Sequence, residues 1–157
     1  MNKTICDLHQ FSASRTISLL EELKAEEWLI QPDGFANNIA WNVGHMLLVR
    51  QNIVYRNPGL ETGLDKSMGP MYKPGSSPAD WESQPDPAAL LELFKTVTDK
   101  LSADFDTGLF DDVNFNSFEL GGGTPIDTLE AACVFNLYHE GLHLGNINDI
   151  RDVIRNG

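Results

Sequence analysis

Residues 124–155 read TPIDTLEAACVFNLYHEGLHLGNINDIRDVIR, and the spacing of the apolar residues in this stretch decides the fold class. Ile126, Leu129, Cys133, Leu137, Leu144 and Ile147 recur at helical steps. Ala132, Asn136, His139, His143, Asn146 and Ile150 form a second line beside them. Such steps place side chains on one face only if the chain is helical. Thr124 followed by Pro125 predicts the start, because proline costs nothing at the first helical position, and Asp127 complements the helix dipole. The helix is expected to reach about Arg155.

Working backwards, the same period appears three more times. A helix from Asp86 is expected to cap with that aspartate and place Pro87 first, with Leu90, Phe94, Val97, Leu101 and Phe105 as its apolar seam. Another begins at Asn37 or Asn38 and runs to about Arg56, with Trp41, His45, Leu48, Asn52 and Tyr55 on one stripe. The first runs from about Thr4 to Leu29, its apolar face made by Ile5, Leu8, Phe11, Leu19 and Leu23, and it stops at Pro32-Asp33-Gly34. Two long segments interrupt this pattern. Residues 57–87 hold six of the eight prolines, so the second and third helices are expected to be joined by a long crossover and not a tight turn. In residues 106–124, Val113 and Phe115 alternate with Asn114 and Asn116 as in a short β-ribbon, and Gly121-Gly122-Gly123 reads as a flexible turn before the last helix. The expected fold is all-α, a four-helix bundle forming a single domain over residues 1–157.

Composition narrows the chemistry. A chain of 157 residues buries enough surface for a core without staples. Cys6 and Cys133 lie far apart with no C-x-x-C spacing, which removes a cysteine-rich zinc site and a disulfide framework. Cys133 reads as a small core residue. A reducing, cytoplasmic setting is expected, since the first residues lack the apolar run of a signal peptide and no stretch is long enough to span a membrane. The net charge of −12 opposes phosphate backbones and anionic lipid, so neither nucleic acid nor membrane is expected as a partner.

The chemistry-bearing residues are histidines. His139 and His143 stand one helical turn apart, about 6 Å in rise, so both imidazoles can reach one ion. They share the inward line with Asn136 and Asn146, where two imidazoles without a common partner would each leave buried nitrogens to satisfy. A lone His45 would ordinarily be a satisfied core residue. Beside an inward pair it becomes the third ligand, because metal sites in bundles are built at mid-height from facing helices. Three imidazoles leave open positions for water or substrate, the mark of a catalytic ion. Zinc, nickel and iron all suit neutral imidazole. Trp41, Asn136 and Asn146 are expected to shape the pocket. His9 reads as a partly exposed residue.

The stretches Asn38-Ile39-Ala40-Trp41-Asn42-Val43-Gly44-His45 and Tyr138-His139-Glu140-Gly141-Leu142-His143-Leu144-Gly145-Asn146-Ile147 resemble the DinB/YfiT-like metal-binding superfamily. The resemblance implies a four-helix bundle with a long second crossover, one divalent ion held by His45, His139 and His143, and a homodimer. Characterised relatives include bacillithiol S-transferases and a mycothiol-dependent maleylpyruvate isomerase. A low-molecular-weight thiol or a water activated at the ion, and a small electrophilic substrate, are therefore implied. Asn146 departs from the pattern, since many relatives carry glutamine there.

Two alternatives accompany this reading. His139-Glu140-Gly141-Leu142-His143 also spells H-E-x-x-H, in which the glutamate of a metalloprotease activates water, but the extended signature would need glycine at 146 and histidine at 149, where Asn146 and Asp149 stand. Glu140 is accordingly the candidate catalytic general base, set against a plainer role as a solvated or dimer-facing carboxylate. The second alternative is a non-catalytic metal-binding or stress-response module whose acidic surface serves a protein partner.

Overall fold

In the computed structural model, which describes residues 2–157, α1 (Lys3–Glu21) begins where the Asn2 side chain accepts a hydrogen bond from Thr4 N–H. The expected continuous helix to Leu29 is broken. A separate short α2 (Ala25–Leu29) follows, because Lys24 turns extended and its N–H donates to the Glu27 carboxylate at 2.7 Å, while Trp28 drops into the core. The inward face of α1 also differs from the expected one. Leu8 and Phe11 are 48% and 65% exposed, and the buried line is Cys6, His9, Ala13, Thr16 and Leu20. The polar members of that line have local partners: His9 Nε2 lies 3.1 Å from the Cys133 carbonyl, and Thr16 donates to Ser12 O. Ala13 is small enough to let neighbouring helices approach. Leu8 and Phe11 are left in water, as are Val134, Tyr138 and Leu142 of the last helix.

α3 (Ile39–Gln51) is capped by Asn38, whose side chain accepts from Trp41 N–H. Its residues 39–48 are all buried, as expected of a helix that is apolar nearly all round. It ends in a π-helical turn over Asn52–Arg56, closed by Asn57 N–H donating to Asn52 O. The connection that follows carries α4 (Met68–Tyr72) and a 3₁₀ turn at Pro78–Asp80. α5 (Pro87–Asp106) starts with Asp86 as cap and Pro87 at its first position. The last helix, α6 (Leu129–Asn156), starts later than expected, capped by Thr128 through Ala131 N–H. Residues 124–126 instead form β2 (Thr124–Ile126), paired antiparallel with β1 (Phe118–Leu120). The ribbon thus lies after residues 113–116, and the glycine triplet is its turn. Gly122 and Gly123 adopt positive φ, which glycine tolerates without strain, and Pro125 sits on an edge strand where its missing N–H is harmless.

The fold is all-α with this one small ribbon. Contacts fix the directions of the long helices. Glu140 meets Arg50 while His143 meets Asn42, so α6 runs antiparallel to α3. Arg50 meets Thr98 while Tyr55 meets Asp104, so α5 runs parallel to α3. Two apolar clusters fill the interior, one around Leu20, Met46, Phe94 and Ile147, the other around Val54, Leu101, Phe110 and Cys133. Between them in sequence on all four long helices lies a polar layer of His9, Arg50, Thr98, Asn136 and Glu140, each buried. Among the described residues no helix is long and apolar enough to cross a membrane.

Candidate metal centre

His45 sits in the second turn of α3, and His139 and His143 one turn apart on α6. The antiparallel packing brings the three rings together, with centroids 4.5–5.1 Å apart. His139 Nε2 lies 3.3 Å from His45 Nε2 and 3.2 Å from His143 Nε2. Among the described residues these three form the group whose donor atoms all lie within 4.8 Å of one another and could hold a metal ion.

The far nitrogens show which protonation state each ring adopts. His45 Nδ1 lies 2.6 Å from the Tyr72 carbonyl, which only accepts, so Nδ1 carries the proton and Nε2 is left bare. Asn42 Nδ2 donates to Asn38 O, which fixes the amide and turns Asn42 Oδ1 toward His143 Nδ1 at 2.7 Å. His143 Nε2 is therefore bare as well. His139 Nε2 faces both; a single proton on it serves one neighbour and leaves the other pair as opposed lone pairs. His139 Nδ1 is buried with no partner. A cation removes this conflict. Two imidazole nitrogens bound at 2.0–2.1 Å to one tetrahedral ion stand about 3.3 Å apart, which matches the observed separations.

Electrostatics point the same way. Burial, reinforced by the neighbouring imidazoles, pushes His139 down to about 4 and His143 down to about 3. Burial lowers His45 too, against the opposing effect of its bond to Tyr72. All three rings are thus neutral at pH 7, the form that ligates metal.

Trp41 and Asn146 line a cavity of about 370 Å3 beside His143, together with Phe35, Asn37 and Ile150. The Trp41 ring stacks on His45 at 4.6 Å with 11° between planes, and its Nε1 donates to Ser76 just after α4. Asn136 does not line this cavity. It is fully buried, one turn before Glu140, and donates to that carboxylate at 2.7 Å. Glu140 is likewise not the solvated or interface-facing carboxylate described above: it is 0% exposed and pairs with Arg50 Nε at 2.7 Å. Burial pushes its carboxyl up, but the charge and hydrogen bond of Arg50, with His9 and Asn136, outweigh that and hold it ionised. It lies outside the group of three donors. His9 is buried at 2%, not partly exposed, and burial lowers its pKa. Cys133 is a core residue, its thiol pushed up to about 12 by burial.

Sequence reasoning missed three groups that set the site: Asn42, Arg50 and the Tyr72 carbonyl. Asn42 and Arg50 had a signal, being polar residues inside the otherwise apolar run Ile39–Leu48 or just past its end. The spacing Leu129, Cys133, Asn136, Glu140, Ile147, Ile150 likewise puts Glu140 on the centre of the buried face. A backbone carbonyl leaves no trace in a sequence.

The family model described as the DinB superfamily matches residues 9–147. No curated protein matches the chain.

Proposed function

The chain belongs to the DinB superfamily, and from that premise we propose that it holds one divalent cation through His45, His139 and His143 and readies a low-molecular-weight thiol or a water for transfer to a small electrophile. The observation that carries the proposal is the convergence of three Nε2 atoms, two of them stripped of protons by the bonds on their far nitrogens. When bound, such an ion lowers the pKa of a water or thiol in an open position, supplying a nucleophile at neutral pH. Zinc, nickel and iron are each compatible with three imidazoles.

The chain's own groups do the positioning. Tyr72 O and Asn42 orient two ligand rings, as outer partners of metal-bound histidines do. Trp41 holds His45 from its face. The cavity at His143 offers room for a small substrate, with Asn146 on its wall. Glu140, bound to Arg50, Asn136 and Ser12, locks α3 to α6 and is assigned a holding role in place of the general base. The proposal takes the four long helices as a four-helix bundle with a long crossover between its second and third members. The parallel course of α3 and α5, which requires such a connection, supports this.

Metal content of the purified protein tests the site: one ion per chain is expected, lost in His143→Ala, and unchanged stoichiometry in that variant would sink the assignment. Transfer of several small thiols to a generic electrophile, with and without chelator, tests the activity. A metal-loaded protein with no metal-dependent rate for any thiol or for water would leave a binding module and refute the enzyme.

A further inference from the structure

A second cavity, of about 300 Å3, opens where the crossover returns over the end of α3. It shares no lining residue with the cavity at His143. Its walls bring together Gln51, Arg56 of the π-turn, and Asp65 and Lys66 of the crossover, with Leu48 and Leu64 as an apolar side.

Gln51 is 0% exposed, and its amide has one settled end. Gly63 N–H donates to Oε1 at 2.8 Å, so the orientation is fixed and the free end is the NH₂ donor, which has no acceptor. A buried donor without a partner is costly and calls for an oxygen. Arg56 and Lys66 add two cations at the same wall. Among the described residues neither forms an ion pair, although the chain carries 23 acidic side chains against 11 basic ones. The acidic group of the wall, Asp65, is held ionised chiefly by its hydrogen bonds to Ser67, with a smaller contribution from the Lys66 charge, which leaves Arg56 as the wall's unopposed cation. The wall is built on a π-helical turn, a local geometry that recurs at functional sites.

From this arrangement we infer that the cavity binds the oxyanion of a small organic molecule, a carboxylate or a phosphate ester, held by Arg56, Lys66 and the Gln51 NH₂ with its carbon skeleton against Leu48 and Leu64. The bidentate guanidinium and the planar amide suit a planar or tetrahedral oxyanion equally. The apolar side distinguishes an organic anion from a bare inorganic one. The site is separate from the histidines but close along the chain. Leu48 and Gln51 follow His45 on α3 by three and six residues, about 5–9 Å of rise, and Gly69 lies on α4, whose Tyr72 carbonyl holds His45.

Titrating ¹⁵N-labelled full-length protein with succinate, with methyl phosphate, and with sodium chloride at matched ionic strength tests this. Saturable shifts at the Gln51 side-chain NH₂ and the Gly63 and Gly69 amides are expected with succinate or methyl phosphate, and not with chloride. The arm that saturates at lower concentration identifies the oxyanion. Arg56→Gln and Lys66→Gln, both at exposed side chains and so tolerable to the fold, are expected to weaken binding at least about tenfold. Equal shifts with chloride, shifts confined to Arg56 and Lys66 without movement of the Gln51 NH₂, or undiminished binding in both variants would each overturn the site.

Discussion

Gly44→Ala puts a methyl group where the structure has no room for one, next to a metal-ligand candidate. In an unconstrained helix interior this substitution stabilises by up to about 1 kcal/mol, because alanine loses less backbone freedom on folding. At position 44 the added Cβ would lie 2.3 Å from Tyr72 Cε1 and 2.4 Å from Cδ1, well over 1 Å inside ordinary carbon contact. The Tyr72 ring has nowhere to go: it is 1% exposed and packs edge-on against Trp81 at 5.7 Å. Overpacking that moves the ring within the core costs about 1–3 kcal/mol, and expelling it costs roughly 3–5 kcal/mol. Because the ring is enclosed the larger cost applies, and net of the helical gain a loss of about 2–4 kcal/mol is expected, a fall in Tm of roughly 5–15 °C for a domain of this size. Gly145→Ala is the control. Position 145 also lies inside a helix, but nothing stands within 4 Å of its Cβ, so a gain of roughly 0.5–1 kcal/mol is expected. Thermal unfolding followed by far-ultraviolet circular dichroism measures both. Displacing Tyr72 also shifts its carbonyl from His45, so metal affinity by titration calorimetry is expected to fall about 10–100-fold in Gly44→Ala. A Gly44→Ala protein as stable as the parent, or stabilised like Gly145→Ala, would refute the packing argument.

Three further outcomes are expected. Glu140→Gln leaves Arg50 charged and buried without its counterion, costing about 3–5 kcal/mol in urea unfolding with little change in slope; replacing the pair together, Arg50→Met with Glu140→Leu, is expected to restore most of that stability. Asn42→Ala removes the acceptor that orients His143 and is expected to weaken metal binding about 10–100-fold while the helix content stays unchanged, as read by calorimetry alongside circular dichroism. Glu27 is held down to about 2, chiefly by its hydrogen bonds to Arg155, so the unfolded chain binds more protons between pH 4.5 and 2 and the stabilisation present above that window is lost as pH falls through it. An acid titration of stability should therefore flatten across that window in Glu27→Gln, and an unaltered slope would count against the ion pair.

The legible parts of this molecule are those where one physical signal dominates. Asp86-Pro87 starts a helix because a cap and a proline agree, and His45, His139 and His143 meet because a four-residue step and a facing helix leave little freedom. The errors arise where two signals compete. Thr124-Pro125 and Thr128 both carry starting chemistry, and the glycine triplet settles the matter by letting the chain reverse into a ribbon. No glycine or proline marks the break after Glu21; a carboxylate three residues past Lys24 makes it. On α1, hydropathy alone puts the apolar side chains in the core. Leu8 and Phe11 lie outside because small and locally satisfied residues permit closer packing.

The buried polar layer and the histidines form one arrangement. Apolar residues above and below would tolerate α6 sliding along α3, since leucine, isoleucine and valine pack in many registers. Arg50 and Glu140 do not tolerate it, because any shift leaves two charges unpaired at less than 2% exposure. Their contact lies one residue from His139 on α6 and five from His45 on α3, so the register that satisfies the ion pair is the one that aligns the three Nε2 atoms. A layer kept only for stability would be matched by methionine and leucine in both stability and metal affinity. A layer kept for register would be matched in stability alone. The double replacement therefore separates the two, with the metal dissociation constant and not the unfolding midpoint as the deciding quantity.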